Sequence, residues 1–254
     1  MDDLQLALAL ADRADALTLP RFRAHDLTVT TKPDLTPVTD VDRAVEAMIS
    51  EVLAEHRPDD AMVGEEYGTR GESARRWIVD PIDGTKNFVR GVPVYATLIG
   101  LYEGETSLVG VVSAPALGRR WFASAGGGAR LVVDGGEPEE IRVSGVDALS
   151  DASFSYASLT GWKERGTREG LLALCDTVWR TRGYGDFWSY MLLAEGAVDI
   201  AAEPELELYD MAALVPIVLE AGGRFTDLDG ADGPFGGNAV ATNGRLHDAV
   251  LEYL

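Results

Sequence analysis

The sequence predicts a layered α+β protein. A leucine- and alanine-rich helical pattern opens the chain, and a run of short apolar strands punctuated by glycine turns follows. The second half then mixes helices and strands without a strict βαβ rhythm. No internal repeat and no low-complexity tail interrupts this order. At 254 residues the chain is long enough for one large domain or two closely packed ones.

In order, residues 3–18 place Leu6, Leu10 and Leu17 on roughly one face, as an amphipathic helix does. A polar, proline-punctuated connection spans residues 30–39. A second helix starts near Thr39 with Val45, Met48, Ile49, Val52 and Leu53 inward, and Arg57, Pro58, Asp59 and Asp60 end it. Strands are expected over 77–79, 95–102, 108–112 and 120–123, with Gly104-Glu105 and Gly126-Gly127-Gly128 as turns. A further pair, 129–133 and 140–143, brackets residues 134–138. The Gly and Asp content of residues 144–151 marks a boundary between an N-terminal α+β subdomain (1–146) and a C-terminal α/β subdomain (147–254). Beyond it come strand 153–158, helices 168–176 and 187–196, strand 197–202 and helix 209–221. Strands 223–226 and 239–242 and a helix from Arg245 close the chain.

Composition narrows the function. No apolar run approaches the roughly 18 residues of a membrane span. The acidic start, Met1-Asp2-Asp3, is unlike a basic secretory leader, and the single cysteine, Cys175, excludes an internal disulfide framework; both fit the cytoplasm. A formal net charge of −20 repels nucleic acid and anionic membrane, so neither is an expected partner. The three histidines, His25, His56 and His247, lie apart from one another and from the cysteine, which argues against a zinc site or a Ser-His-Asp triad. Catalysis must therefore run on carboxylates.

The stretch Asp80-Pro81-Ile82-Asp83-Gly84-Thr85 has the chemistry for it. Ile78 and Val79 extend a buried strand, Pro81 biases Asp80 towards an extended backbone, and Asp83 and Gly84 turn the chain into a helix start. Two carboxylates so spaced at a strand's end can share hard, oxygen-seeking cations such as Mg²⁺. The N–H groups of Gly84 and Thr85 suit a phosphate oxygen. An Asp-Gly turn with a helix cap accounts for Asp83 and Gly84 alone, but not for Asp80.

Gly64-Glu65-Glu66, residues 77–88, and Tyr209-Asp210-Met211-Ala212-Ala213 followed by Glu220-Ala221-Gly222-Gly223 resemble the signatures of the inositol monophosphatase family. Their order and spacing hold over nearly the whole chain. Within that family, residues 113–121 and 158–162 are similar to the actinobacterial-type histidinol-phosphate phosphatases. The resemblance implies a layered αβαβα sandwich of the inositol monophosphatase / fructose-1,6-bisphosphatase type, usually dimeric, with two or three Mg²⁺ per active site. It implies that Glu65, Asp80 and the Ile82 carbonyl hold one metal, that Asp80, Asp83 and Asp210 hold a second, and that Asp42 lies near a third, weaker one. The N-terminal subdomain then carries most metal ligands, and the C-terminal one carries Asp210 and the substrate side. Local readings compete: Thr39 and Asp42 also fit a capping box, and Asp210 alone reads as a helix cap. Glu66 is a neighbour rather than a ligand.

Hydrolysis of a phosphate monoester needs a nucleophile at neutral pH and relief of charge on the leaving oxygen, which metal ions supply. The resemblance implies that Thr85 and Glu65, with Asp42 behind them, orient and deprotonate a water, and that Gly84 and Thr85 bind the phosphoryl group. Lys32 aligns with a lysine beside the outer metal, although a lone Lys is equally an ordinary surface residue. Asp186 and Glu203 fall at positions that contact the substrate's organic part, where a carboxylate at Asp186 favours a cationic substrate such as histidinol phosphate. Tyr184, Phe187 and Trp188 could flank an imidazole or pack in the core. Arg182 could reach the site across a dimer or form a surface ion pair. The expected function is Mg²⁺-dependent hydrolysis of a small phosphorylated metabolite, L-histidinol phosphate, to L-histidinol in histidine biosynthesis, by a homodimer. Inositol 1-phosphate and 3′-phosphonucleotides are alternative substrates; a non-catalytic partner of a transcription complex is the alternative of another class.

Overall fold

The structure, a computed structural model, describes residues 1–32 and 36–254. Helix α1 (Asp3–Thr18) packs on α2 (Asp40–His56), and together they form one outer layer. Asp2 and Thr39 start these helices with capping boxes, satisfying N–H groups that the first helical turn leaves unpaired. Leu6, Leu10, Val45 and Ile49 bury on the sheet beneath. The polar connection ahead of α2 is in part a hairpin, β1 (Val29–Thr31) paired with β2 (Pro37–Thr39). Three residues per strand, with β1 fully exposed, leave no alternation to read. Pro33, Asp34 and Leu35 of that connection lie outside the described residues.

The first sheet contains β3 (Ala61–Gly64), β4 (Gly68–Arg70), β5 (Arg75–Asp83), β6 (Ala96–Glu103), β7 (Thr106–Ala114), β8 (Arg119–Ser124), β9 (Ala129–Val133) and β10 (Glu139–Glu140). Their order is β10-β9-β8-β7-β6-β5-β3-β4, and only the β3–β5 pair is parallel. Successive side chains alternate between two cores: Leu98, Val112 and Trp121 face inward to the middle layer, and Ile99, Val111 and Phe122 face α1 and α2. Each such apolar side chain contributes about 1.5–3 kcal/mol on burial. The expected strand over 140–143 shortens to β10 because the Val143 N–H leaves the sheet for the Ala221 carbonyl.

The remaining helices are α3 (Thr85–Arg90), α4 (Leu159–Arg165), α5 (Arg168–Thr177), α6 (Asp186–Ala194), α7 (Leu208–Met211), α8 (Leu214–Glu220) and α9 (His247–Leu251). The second sheet joins β11 (Ser153–Tyr156), β12 (Arg180–Arg182), β13 (Ile200–Glu203), β14 (Arg224–Thr226) and β15 (Ala239–Thr242) in the order β12-β11-β13-β15-β14. Helices α6 and α8 fill the space between the sheets, and α4, α5 and α9 cover the far face of the second. The layers therefore run αβαβα, the α+β sandwich the sequence predicts. The strand expected from residue 197 starts only at Ile200, since the Ala197 and Val198 N–H groups close α6 on the Leu192 carbonyl. The single helix expected over 209–221 is two. Pro216 has no N–H to offer the Ala212 carbonyl, and the Tyr102 hydroxyl donates to that carbonyl instead, at 3.1 Å. Among the described residues no helix is long and apolar enough to cross a membrane.

Candidate active site

The C-terminal end of β5 meets the middle helical layer at a cavity of about 500 Å³. Asp80 and Asp83 are separated by an odd number of steps, so a regular strand would aim them at opposite faces. A bulge between their pairings with Leu98 and Ala96 changes that aim, and both line the cavity. Asp80 Oδ1 accepts the Ile82 N–H at 2.9 Å, which fixes the bulged segment.

Asp210 arrives on α7 from the other side. Gly100 and Gly110 pair directly across β6 and β7. A Cβ at Gly100 would stand 2.8 Å from the Ala212 backbone, and one at Gly110 would stand 2.3 Å from the Ala213 carbonyl oxygen. Only with both side chains absent can the turn after α7 lie on the sheet and bring Asp210 to β5. Asp80, Asp83 and Asp210 then offer one oxygen each within 4.8 Å of one another. Asp210 keeps its capping role as well, since its Oδ2 accepts the Glu207 N–H at 2.8 Å.

Such crowding has an electrostatic consequence. Burial, then the charges of Glu65, Asp83 and Asp210, raises Asp80 well above the usual carboxylate range. Burial with Asp186 and Asp210 does the same to Asp83. Burial pushes Asp210 up to about 7 despite the Glu207 N–H, with Glu65 adding to the effect. Acids this close cannot all ionise alone. A hard dication relieves the repulsion, and an all-oxygen donor set fits Mg²⁺.

Glu65 lines the cavity from the turn between β3 and β4. Lys32 donates to it at 2.7 Å and also pairs with Glu66, which does not line the cavity. Burial pulls Lys32 down, but the two carboxylates outweigh it and hold the ammonium above its ordinary value. Lys32 is thus committed to this turn.

Thr85 opens α3 behind Gly84, which takes a left-handed φ of 80° and whose absent Cβ would meet the Val94 carbonyl at 2.8 Å. Thr85 Oγ1 lies 2.9 Å from the Ile82 carbonyl and 3.2 Å from Asp42 Oδ1. Asp42 is fully buried, and its Oδ2 accepts the Thr39 N–H at 2.9 Å together with the Thr39 hydroxyl. One Asp42 oxygen thus serves the capping box and the other meets Thr85, which lines the cavity, while Asp42 itself does not line it. Burial, opposed by the Thr39 hydrogen bonds and supported by Glu65 and Glu66, pushes Asp42 up to about 6.

The facing wall comes from α6 and β13. Asp186 has φ 47°, unusual for a residue with a side chain, and Asn87 Nδ2 donates to its Oδ2 at 2.7 Å. Burial raises Asp186, with Lys86 and Asn87 opposing. The Phe187 N–H donates to Asp83 Oδ2 at 2.7 Å, joining the two walls. Glu203 ends β13, and burial, then Asp186 and Asp210, raises it well above its ordinary value. Phe187 borders the cavity but packs on Trp121 in the core, at 6.0 Å between ring centres. Tyr184 and Trp188 pair edge to face at 5.6 Å and do not line the cavity. Arg182 stands exposed on β12, donates to the Thr181 carbonyl and does not line the cavity of its own chain.

Tyr190 and Lys86 line the cavity without having been singled out in the sequence. Tyr190 follows Asp186 by four on one helix, a spacing that signals a shared face. Lys86 has only its adjacency to Thr85.

The profile of the inositol monophosphatase family matches residues 2–254. A histidinol-phosphatase of Mycobacterium tuberculosis is 61% identical over 254 residues, covering 100% of this chain and 98% of its own length. A histidinol-phosphatase of Streptomyces coelicolor is 58% identical over 258 residues, covering 100% and 97%. Among solved structures, an inositol monophosphatase from Zymomonas mobilis superposes with a TM-score of 0.87 at 32% identity, over 99% of this chain and 97% of its own.

Proposed function

We propose that this chain, which belongs to the inositol monophosphatase family, hydrolyses L-histidinol phosphate to L-histidinol and phosphate. It is a phosphoric monoester hydrolase. The observation that carries the substrate is Asp186, a carboxylate held by Asn87 on the wall facing the metal-ligand acids, with Glu203 beside it. Two acids there complement the ammonium group of histidinol. The full-length likeness to two histidinol-phosphatases supports the same reading.

Two or three Mg²⁺ would be held by Glu65, Asp80 and the Ile82 carbonyl on one side and by Asp80, Asp83 and Asp210 on the other. Bound Mg²⁺ supplies an acidified water and offsets charge on the phosphoryl and leaving oxygens. The protein's own groups then orient and move protons. Thr85, its hydroxyl proton directed to the Ile82 carbonyl or to Asp42, keeps a lone pair for the attacking water. Asp42 takes the proton that Thr85 relays, and Glu65 aligns the water from the opposite side. The water oxygen bonds to phosphorus as the bond from phosphorus to the histidinol oxygen breaks, and that oxygen takes a proton from solvent water as L-histidinol leaves. The Gly84 and Thr85 N–H groups bind the phosphoryl oxygens. A cytoplasmic homodimer completes this reading.

Phosphate release from L-histidinol phosphate and from inositol 1-phosphate at saturating Mg²⁺ tests it. The expected kcat/KM ratio is about 10–100-fold in favour of the first, the value of one charge-assisted contact. Preference for inositol 1-phosphate would overturn the substrate.

A further inference from the structure

Glu46 sits on α2, one turn beyond Asp42, and is 1% exposed. A glutamate so buried is ordinarily paired with a cation. Here it is not: among the described residues its partners are two backbone groups. Its Oε2 accepts the Glu66 N–H at 2.7 Å, and its Oε1 accepts the Tyr67 N–H at 3.0 Å. The carboxylate fills a space left by Gly64, where a Cβ would stand 1.9 Å from Glu46 Oε1. Gly64 precedes Glu65, and Glu66 and Tyr67 follow it. The glutamate thus grips the turn on both sides of the cavity-lining residue.

We infer that Glu46 is the positioning residue of Glu65, its carboxylate setting the turn that presents Glu65 to the cavity. This rests on the proposed reading of Glu65 as a metal ligand. The requirement is for a carboxylate rather than for any polar group. Two successive N–H donors need two acceptor oxygens, whereas glutamine offers one oxygen and turns its NH₂ donor-to-donor against the other N–H. In a dry site that mismatch displaces the turn rather than being absorbed by water.

The test is calorimetric titration of Mg²⁺ into Glu46→Gln, Gly64→Ala, the double variant and Glu65→Gln, with turnover of p-nitrophenyl phosphate alongside. An aryl phosphate and a binding readout make the outcome independent of the physiological ester. Glu46→Gln is expected to weaken Mg²⁺ binding about tenfold, about 1.4 kcal/mol, with the KM for the aryl phosphate little changed. Gly64→Ala, whose methyl group displaces the Glu46 carboxylate, should give the same shift. The double variant should be no worse than the weaker single one, as expected of two changes that break one interaction. Unaltered Mg²⁺ binding in folded Glu46→Gln, additive losses in the double variant, or loss of the cooperative fold in both single variants would each overturn the inference. Unaltered Mg²⁺ binding in Glu65→Gln would instead overturn the ligand reading, a separate failure.

Discussion

The two walls of the cavity are held by different means. On one, Asp80 and Asp83 belong to a central strand whose neighbours on both sides are hydrogen-bonded, and the bulge that aims them is part of the ladder. On the other, Asp186 stands at a helix start with a positive φ and leans on one side-chain bond from Asn87, while Glu203 ends a short strand. A residue in a strained backbone region persists only where its surroundings hold it. The contrast teaches where the protein can vary. On the proposed reading, reaction type rests chiefly on the acids of the strand, and ester choice on helix and strand ends tied to that strand through the bond from the Phe187 N–H to Asp83.

Breaking the first wall should have the largest effect. Asp80→Asn or Asp83→Asn is expected to lower phosphate release from every ester by about 10³-fold or more, with the fold retained by circular dichroism. Retained turnover of both variants at saturating Mg²⁺ would dissolve the distinction. Breaking the second wall should cost less and selectively. Asp186→Ala is expected to lower kcat/KM for L-histidinol phosphate by about 10–100-fold while leaving p-nitrophenyl phosphate turnover nearly unchanged. Equal loss on both esters would mean that the walls act as one.

The smallest expected effect is a pH dependence of stability. Asp42 at about 6 and Asp210 at about 7 both lie above the ordinary value of 3.8. Between these values the native state binds more protons than the unfolded chain, so the metal-free protein loses stability as pH rises from about 4 through 7. On the proposed reading, Mg²⁺ would take the place of the proton on Asp210, whereas Asp42 is not among its ligands. The rise in Tm on adding Mg²⁺ should therefore be slight near pH 5.5 and grow to a few degrees near pH 8, roughly the effect of 1 kcal/mol. A Mg²⁺-induced shift that is flat across this window would exclude Asp210 from the binding set.

Much of the first wall is legible in the sequence because its chemistry is contiguous: strand, proline, two acids and a glycine lie in one short stretch. The place of Asp210 at the cavity is legible only by resemblance, since its local signal is a helix cap, and the Glu207 bond bears that cap out. Asp42 carries a similar double signal: the capping bond to Thr39 is seen, and its other oxygen reaches the cavity only through Thr85. Glu46 gives no signal at all, because a glutamate within a helix reads as solvated until the turn it grips is seen above it. Tyr190 gives no site signal in the sequence; it is buried, and only the approach of α6 to β13 makes it border the cavity. The break between α7 and α8 hides within a continuous apolar pattern, because periodicity does not register the donor missing at Pro216.

The paired glycines beneath α7 also govern when the site can exist. Asp80 and Asp210 are far apart in the chain, and closing so long a loop comes with the docking of the middle layer on Gly100 and Gly110 rather than before it. A cation that prefers the complete set of acids therefore binds the docked state and draws the chain into it, by about 2.7 kcal/mol at a hundredfold excess over its Kd. Two missing methyl groups would thus make an ion held by these acids a ligand of the docked fold rather than of the open chain.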